Sequence, residues 1–398
     1  MKFVDTLNLK GKKVFLRSDL DTPLNDAGTE LEDDTRLKAA VPTIKLLLEK
    51  GAAVIIAGHL DSPKGKRVES CSLRAPAKRM GELLGQPVPL APDCIGPEVQ
   101  TLAAKLQPGQ VLMLENTRFH SGEEKNDEEF AKALAALADV YVNDAFATSH
   151  RKHASTAGMA KFFTEKAAGL NLKKELEYFS KAFDNPEKPF VAVFGGAKIS
   201  TKIAAIRNAA KRAQKVIVGG AMANTFFAAT GINVGKSLIE PTEVENVKKY
   251  CEEIKNHGCE LVLPVDAIIG KAFAAGTETK VVGLNEISPD WMILDIGPKS
   301  RELFAKELSN AKTILWNGPM GAFEIPEFSE GTFSIARTMA ELTMAPLKAL
   351  TVVGGGDTDL ALHQSHTFDK MSYVSTAGGA FLKLLEGGEP LPAIVALG

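Results

Sequence analysis

Short runs of Val, Ile and other apolar residues recur along the whole chain, and stretches long enough to form helices separate them. The runs are Val14–Leu20, Ala53–Leu60, Val111–Glu115, Val140–Phe146, Phe190–Gly195, Lys215–Gly220, Glu260–Ile269, Thr313–Pro319, Leu350–Gly355 and Met371–Ala377. Apolar runs that alternate with helices are typical of βαβ units, whose parallel strands are buried on both faces of a sheet. The pattern therefore predicts an α/β protein built on doubly wound parallel sheets.

The length of 398 residues exceeds what one hydrophobic core usually supports, so we expect two or three domains. A candidate connecting helix lies within Ala167–Phe183, and Pro186 follows its end. Its apolar residues, at spacings of four, three and four, are Leu172, Leu176, Phe179 and Phe183. A surface helix within one larger sheet is the alternative interpretation. The predicted arrangement is two Rossmann-like domains, over 1–170 and 186–375, joined by a helix over 171–185.

The net charge of −2 argues against a surface for nucleic acid or for an anionic membrane, because both need an excess of basic residues. The N-terminus shows no apolar signal segment, and no stretch approaches the ~18–20 apolar residues of a membrane span. The four cysteines form no C-x-x-C pair, and Cys251, His257 and Cys259 supply only part of a zinc site. We therefore expect a cytoplasmic protein with reduced cysteines.

Basic side chains cluster after the predicted strands of the first half of the chain. They are Arg17, Arg36, His59, Arg118, His150, Arg151 and His153. Ligands of open α/β sheets bind outside the carboxyl ends of the strands, and arginine forks match phosphate and carboxylate oxygens. The cluster indicates a site for a small, multiply charged acid. Taken singly, an Arg is more often solvated or in a structural ion pair, and a His is more often a core residue whose hydrogen bonds are satisfied.

The second half is instead rich in glycine at the predicted strand ends. Leu350–Asp359 has the order strand, glycines, helix start, which suits a phosphate because glycine allows close approach and helix N-termini attract anions. Asp357 could equally serve only as a helix cap. Lys198 and Lys202 are four residues apart on a helix expected to begin at Gly-Gly-Ala-Lys, so both could face one polyphosphate. Gly231–Ser237 ends like a P-loop but has one residue too few between its glycines.

Motifs in the same order along the whole chain resemble those of the phosphoglycerate kinase family. The matching stretches are Arg17–Pro23, Asp33–Arg36, Gly58–Leu60, Leu114–His120, Tyr141–Ser155, Gly195–Lys202, Trp316–Glu324, Gly354–Thr358 and Ser375–Ala380. The resemblance implies a monomeric, hinge-bending, two-domain kinase with a tail over 376–398 that returns to the first domain. It implies reversible transfer of the acyl phosphate of 1,3-bisphosphoglycerate to MgADP, giving 3-phosphoglycerate and MgATP.

The resemblance also assigns roles to individual residues. The implied substrate-binding residues are Asp19, Asp21, Arg36, His59, Ser62, Arg118 and Arg151. The implied nucleotide-binding residues are Lys198, Lys202, Gly219, Gly220, Asn317, Glu324, Gly354, Gly355, Gly356, Asp357 and Thr358, with Asp357 also bearing on Mg²⁺. Arg36 and Lys198 are the expected catalytic residues. A carboxylate acceptor with a pKa near ~3.5 is already ionised, so the reaction needs positioning and charge cancellation rather than a general base.

Four positions, at three sites, depart from the family pattern. Asp21 stands where the family usually has Asn, Asp61-Ser62 stands where Gly-Arg is common, and Ala377 stands where Gly is common. We expect these changes to affect substrate affinity more than reaction type. A dehydrogenase would need G-x-G-x-x-G after an early strand, which this sequence lacks. A non-catalytic anion- or nucleotide-binding module would explain the arginines, but not Lys198, Lys202, Glu324 and the glycine turn together.

Overall fold

The computed structural model describes residues 1–25, 28–344, 346 and 348–398. The strands are β1 Lys13–Arg17, β2 Ala53–Ala57, β3 Val111–Met113, β4 Val140–Asn143, β5 Lys166–Ala168, β6 Phe190–Phe194, β7 Lys215–Val218, β8 Glu260–Val262, β9 Asp266–Gly270, β10 Thr279–Gly283, β11 Met292–Ile296, β12 Thr313–Asn317, β13 Leu350–Gly354 and β14 Tyr373–Val374. The α-helices are α1 Thr35–Glu49, α2 Arg74–Leu84, α3 Pro97–Lys105, α4 Ser121–Glu124, α5 Glu128–Ala135, α6 Leu170–Phe179, α7 Ile203–Ala210, α8 Met222–Ala229, α9 Val244–Asn256, α10 Pro298–Leu308, α11 Glu330–Met344, α12 Gly356–Gln364, α13 Gly378–Glu386 and α14 Pro392–Leu397. None of the helices in these described stretches has the length and apolar character that a membrane crossing requires.

The chain divides into two compact units. The N-terminal unit comprises Met1–Leu176 and Glu389–Gly398, and the C-terminal unit comprises Glu177–Gly388. The boundary falls inside α6, which continues as a π-helical turn over Ser180–Asp184. Of the tail predicted over 376–398, only the last part lies with the N-terminal unit, where the Ala393 amide donates to the Ser149 carbonyl. Helix α13 stays in the C-terminal unit and packs on α7.

The N-terminal unit contains a five-stranded parallel sheet in the order β3-β2-β1-β4-β5. Every residue of β2 is buried, as expected for a strand covered on both faces. The core packs the strand residues Leu16 and Ile56 against Leu37 and Ile44 of α1. Because Arg17 is in register with Ala57 and Asn143, the segments after β1, β2 and β4 leave the sheet at one edge.

The C-terminal unit contains a six-stranded parallel sheet in the order β14-β13-β12-β6-β7-β8. Asn317, at the end of β12, is in register with Phe194 of β6 and Gly354 of β13. The glycine-rich segments that follow β6, β12 and β13 therefore begin at the same edge. Together with the first sheet, this confirms the predicted doubly wound α/β fold.

A third sheet, with antiparallel order β10-β9-β11, was not predicted. The run Glu260–Ile269 was expected to form one strand, but it forms β8 in the parallel sheet and β9 in this one. Pro264 lies between them, and proline interrupts a strand because it lacks an N–H group and fixes φ. Most of β10 is exposed, so its sequence lacks the continuous apolar run of a buried strand.

Candidate active site at the carboxyl edges of the two parallel sheets

An Arg–His–Asp chain lies at the edge of the N-terminal sheet, with Arg17 and His59 buried and Asp21 half-buried. Arg17 Nη2 is 3.1 Å from His59 Nδ1, and His59 Nε2 is 3.5 Å from Asp21 Oδ2. Because a guanidinium can only donate, His59 Nδ1 is the acceptor and the imidazole proton lies on Nε2, facing Asp21. Burial lowers the pKa of His59, and the charges of Arg17 and Arg118 lower it further. The imidazole is therefore neutral at pH 7 and has a fixed orientation.

Close approach of β1 and β2 makes this chain of contacts possible. Gly58 follows β2, and a Cβ there would lie 2.7 Å from Leu20 side-chain atoms and 2.9 Å from the Ser18 carbonyl oxygen. Two residues after His59, Asp61 adopts φ of 56°, a left-handed conformation that Asp tolerates better than most residues. The Asp61 amide donates to Asp21 Oδ1 at 2.8 Å. Asp61, which stands where Gly is common in the family, thus has a left-handed backbone of the kind that favours Gly.

Asp21 is surrounded by donors. Arg36 Nη1 lies 3.7 Å from Asp21 Oδ2 and 3.2 Å from Asp19 Oδ1. Burial acts to raise the pKa of Asp21, but the hydrogen bonds from His59 and from the Asp61 amide, with the charge of Arg36, hold it well below its usual range. Asp21 is therefore an ionised carboxylate at neutral pH and occupies donors that could otherwise face a substrate anion.

Arg118 and Arg151 add positive charge to the same edge. Arg118 is buried, and its Nη1 donates to the Asp61 carbonyl at 2.8 Å and to Ser62 Oγ at 3.3 Å. Burial lowers the pKa of Arg118, and the charge of the nearby, exposed Arg151 lowers it further. His153 is neutral at pH 7, because burial and the neighbouring arginines lower its pKa to about 3. The structure thus brings the substrate-binding residues predicted for this unit to one edge.

A second layer of side chains holds Arg17 and was not predicted from the sequence. Arg17 Nε donates to Ser155 Oγ at 2.9 Å, and Ser155 Oγ donates to Glu123 Oε1 at 2.5 Å. The Ser155 amide donates to Glu123 Oε2 at 2.9 Å, and Glu123 is fully buried. These contacts join α4 to the segment after β4, and such long-range pairs leave no pattern in a single sequence. The arrangement fixes a buried guanidinium behind His59.

The C-terminal unit contains a cavity of about 500 Å³ beside the carboxyl edge of its parallel sheet. This volume is within the range of small-molecule sites. Gly220, Glu324 and Asp357 line it, as does Phe273, whose side chain is 64% exposed. Three of these residues were predicted for nucleotide binding. Phe273 lies between β9 and β10 and was missed because the antiparallel sheet that these strands form was not predicted.

The glycine-rich turns pack against one another beneath this cavity. The Gly219 amide donates to the Phe194 carbonyl, and the Gly220 amide donates to the Met320 carbonyl. Gly220 has φ of +69°, and a Cβ there would lie 2.5 Å from the Gly196 nitrogen. These two amides are therefore used within the protein, and the glycines serve mainly to let the turns approach closely.

Asn317 and Thr358 connect the strand ends. Asn317 Nδ2 donates to the Gly354 carbonyl at 2.7 Å, and the Gly318 amide donates to Thr358 Oγ1 at 2.7 Å. Both side chains are buried. Asp357 is instead exposed in the first turn of α12, where the backbone N–H groups have no partner within the helix. Gly355 and Gly356 begin this turn, so an anion could bind beside Asp357.

The prediction that Lys198 and Lys202 lie on one helix, four residues apart, is wrong. Helix α7 begins at Ile203, and Lys198 lies in the irregular segment before it. Lys202 Nζ donates to the Gly195 carbonyl at 2.6 Å and to the Asn317 carbonyl at 3.2 Å, whereas Lys198 is exposed. The close turn that starts at Gly195-Gly196 delays the helix, and burial lowers the pKa of Lys202 to about 8. The two lysines therefore do not form one helical face.

Asp295 is a buried acid in the lining of the cavity. Its Oδ2 accepts from the Gly331 amide at 2.7 Å, while Oδ1 has no hydrogen-bond partner in the described part of the chain. A register shift between Ile293 and Asp295 in β11 accompanies this placement. Burial raises the pKa of Asp295 to about 8, so the carboxyl is largely protonated at pH 7. Its neighbours come from separate elements, so no pattern in the sequence selects it.

Known proteins similar to this chain share one description. The family model described as phosphoglycerate kinase matches residues 4–388. A phosphoglycerate kinase of Geobacter sp. (strain M21) is 48% identical over 398 residues, covering 100% of this chain and 98% of the relative. A cytosolic phosphoglycerate kinase of Triticum aestivum is 50% identical over 390 residues, covering 98% of this chain and 96% of the relative.

Solved structures agree with these similarities. The structure of phosphoglycerate kinase from Coxiella burnetii has a TM-score of 0.89 and 40% sequence identity, and the match covers 99% of this chain and 98% of that one. The crystal structure of the Pyrococcus horikoshii OT3 phosphoglycerate kinase has a TM-score of 0.84 and 31% identity, with coverage of 100% and 98%. The resemblance indicated by the motifs is confirmed over the whole chain.

Proposed function

The chain belongs to the phosphoglycerate kinase family and has its phosphotransferase activity, and we propose that its two units bind one substrate each. The reaction exchanges a phosphoryl group between the carboxyl group of phosphoglycerate and an adenine nucleotide. The observation that carries the proposal is the convergence of Arg36, His59 and Arg118 at one sheet edge, in a unit separate from the nucleotide-sized cavity.

The N-terminal edge binds phosphoglycerate through charge and geometry. The guanidinium groups of Arg36, Arg118 and Arg151 offer paired N–H donors to the phosphate and carboxylate oxygens. Neutral His59 donates from Nε2, the nitrogen that faces Asp21. Asp19 and Asp21 lie at the hydroxyl and carboxyl end of the glycerate. Ser62 contributes one hydroxyl beside Arg118.

The C-terminal cavity binds the nucleotide. The base and ribose occupy the cavity, with Glu324 near the ribose, and the phosphates extend towards the turn that begins α12. Lys198 is exposed and free to reach the phosphates, while Lys202 contributes charge from its partly buried position. Asn317, Thr358, Gly219 and Gly220 use these hydrogen-bonding groups within the protein and hold the shape of the strand ends.

Mg²⁺ is the proposed metal, carried with the nucleotide. Asp357 fits this role because it offers an exposed carboxylate in the lining of the cavity, and Mg²⁺ prefers one or two carboxylates together with phosphate oxygens. The ion supplies neutralisation of phosphate charge when it is bound. The electrostatic influence of Asp357 on Lys202 supports a position beside the same phosphates.

The transfer step needs orientation and charge cancellation from this chain. The attacking carboxylate is already ionised at pH 7, so a proton acceptor is unnecessary. We assign stabilisation of the negative transition state to Arg36 of the N-terminal unit and Lys198 of the C-terminal unit. Since each unit carries one reactant, a hinge motion near α6 precedes transfer and brings the reactants in line.

A coupled assay with MgATP and 3-phosphoglycerate tests the proposal directly. We expect ADP release that requires both substrates, together with binding of each substrate alone. A nucleotide- or anion-binding module without catalytic function would bind its ligand and release no ADP, which would overturn the assignment. Loss of 3-phosphoglycerate binding in Arg36→Ala, with ATP binding intact, would support the division of substrates between the units.

We also propose that the protein acts as a monomer in the cytoplasm. The cytosolic wheat relative supports the location, and the net charge of −2 supports the expectation that nucleic acid and anionic membranes are not partners. Sedimentation of the purified protein at several concentrations tests the monomer, and cell fractionation tests the location.

A further inference from the structure

A carboxylate, a thiol and an imidazole that have no role in the proposed reaction meet in the N-terminal unit. They belong to Asp93, Cys94 and His120, and their ligand atoms all lie within 4.8 Å of one another. Asp93 and Cys94 follow a short extended segment at Leu90 that pairs with Met113 of β3, and His120 follows the turn after the same strand. The parallel course of the two segments explains why residues distant in sequence meet here.

The three side chains are held in place before any ligand binds. His120 Nε2 lies 2.7 Å from Asp93 Oδ1, and the Cys94 amide donates to the same oxygen at 2.6 Å. The His120 ring stacks on Phe130, with centroids 5.1 Å apart. Cys94 is fully buried, whereas the side chains of Asp93 and His120 are 41% and 30% exposed. The cluster therefore has a fixed inner thiol and an outer side open to solvent.

The charge around the thiol favours a cation. The carboxylate of Asp93 lies within 4.8 Å of the Cys94 thiol. A bound divalent ion would compensate this negative charge and would stabilise Cys94 as a thiolate. The donor set of one sulfur, one nitrogen and one oxygen matches zinc-class ions, whereas Mg²⁺ prefers oxygen alone.

We propose that Asp93, Cys94 and His120 bind one zinc-class divalent cation. Usual zinc bond lengths place ligand atoms about 3.3–3.8 Å apart in a tetrahedral site, so the cluster needs only a small rearrangement of its two half-exposed members. The fourth position faces solvent and takes water. Binding replaces the thiol proton of Cys94 with the metal and releases one proton to solvent.

Cobalt(II) is the probe for the first experiment, because a thiolate ligand gives it intense charge-transfer absorption. The full chain is freed of metal, kept reduced and titrated with Co²⁺ in the absence of nucleotide. We expect absorption that saturates at one Co²⁺ per chain, release of one proton per ion, and loss of the signal when Zn²⁺ is added. A spectrum of oxygen-only coordination, or none, would overturn the proposal.

Variants assign the signal to this cluster. His120→Gln changes a half-exposed side chain, and we expect Co²⁺ affinity to fall by more than ~100-fold, above the range for losing an outer-shell partner. Cys94→Ser should abolish the charge-transfer band, and Asp93→Asn serves if the buried substitution prevents folding. Cys251→Ser, at a half-buried thiol of α9, is the matched control and should bind like the unchanged protein. Full binding by His120→Gln and Asp93→Asn would reject the site.

Discussion

Asp21 shows how an acid is accommodated in an anion-binding edge. Its carboxylate accepts from the Asp61 amide and lies near Arg36 and His59, so its charge is compensated in the protein itself. A phosphoglycerate anion that approaches the edge must compete with this internal carboxylate for Arg36. The Asn that is usual in the family would occupy the same space, but its neutral side chain would attract Arg36 and His59 less strongly.

We therefore expect Asp21→Asn to leave the KM for 3-phosphoglycerate unchanged or to lower it. Steady-state kinetics with saturating MgATP measure the effect. Asp34→Asn is the control. Asp34 pairs with Lys38 and Arg79, so this variant measures the effect of losing an ion-paired carboxylate at a different position. A large increase in KM for Asp21→Asn alone would show that the carboxylate is needed to hold Arg36 in position.

Lys198 is predicted to act mainly in the transition state. It is exposed beside the glycine turn, whereas Lys202 is tied to carbonyl groups. Lys198→Ala should lower kcat by ~10²–10³ while substrate binding changes less, as when a preorganised donor is removed. Lys211→Ala, another exposed lysine at the end of α7, is the control. Near-normal turnover in Lys198→Ala would remove Lys198 from the mechanism.

The raised pKa of Asp295 predicts how stability changes with pH. Between its ordinary value of 3.8 and its folded value of about 8, the folded state holds a proton that the unfolded state has lost. The free energy of unfolding should therefore fall as pH rises through this window, by up to about 1.4 kcal/mol per pH unit from this group.

Asp295→Asn should remove that part of the pH dependence. Urea unfolding followed by tryptophan fluorescence reports the C-terminal unit, since both tryptophans, Trp291 and Trp316, lie there. Asp290→Asn, at an exposed neighbouring position, should keep the slope of the unchanged protein. Equal slopes for Asp295→Asn and the unchanged protein between pH 5 and about 8 would contradict the assignment.

At the scale of secondary-structure elements, the turns after β6, β7 and β12 form one packed layer. Gly220 contacts the backbone of Gly196 and of Pro319, so the position of each turn depends on the others. A methyl group added at Gly220 would collide with the backbone atoms of these two residues, which move less easily than a flexible side chain. The cavity above the layer should therefore change shape when this residue is enlarged.

Gly220→Ala is expected to weaken ATP binding and to destabilise the C-terminal unit. Gly258→Ala separates the two causes, because Gly258 has a similar φ of +73° but nothing within 4 Å of the added Cβ. We expect Gly258→Ala to lower the free energy of unfolding by about 1 kcal/mol because of backbone strain. Gly220→Ala should lower it by about 1–3 kcal/mol more than the control does. Calorimetric ATP titration and urea unfolding provide the measurements. Equal ATP affinity and equal stability of the two variants would show that the close contact of Gly220 with Gly196 and Pro319 is unimportant.

The buried parallel strands could be predicted from the sequence because each leaves a continuous apolar run. The sheet formed by β9, β10 and β11 could not be predicted. Most of β10 is exposed, and β8 and β9 form one apolar run in the sequence although Pro264 lies between them. The prediction that Lys198 and Lys202 share one helical face was wrong for a related reason. The backbone at Gly195-Gly196 first packs against the turn after β12, and that tertiary contact determines where α7 begins.

At the scale of the whole molecule, the basic cluster and the glycine-rich strand ends lie in different units. The sequence predicted this separation because strand ends collect in one place in each parallel sheet, whatever their order along the chain. It could not predict which residues contact ligands and which support them. Thr358 and Asn317 occupy motif positions yet are buried as supports, while the supporting pair Glu123 and Ser155 depends on a contact between distant segments.

The last prediction concerns both units together. Each unit is proposed to bind one reactant, and direct transfer requires the two reactants to meet. Small-angle X-ray scattering should therefore show a smaller radius of gyration with both ligands bound than with either one alone.

MgADP with 3-phosphoglycerate is the suitable pair for this measurement, because neither carries the phosphoryl group to be transferred and the sample does not turn over. Arg36→Ala, which should no longer hold 3-phosphoglycerate, serves as the control and should keep the radius seen with MgADP alone. If the radius of the unchanged protein stays constant when both ligands are saturating, domain closure is not part of the mechanism. Transfer would then need both substrates within reach of each other without a hinge motion.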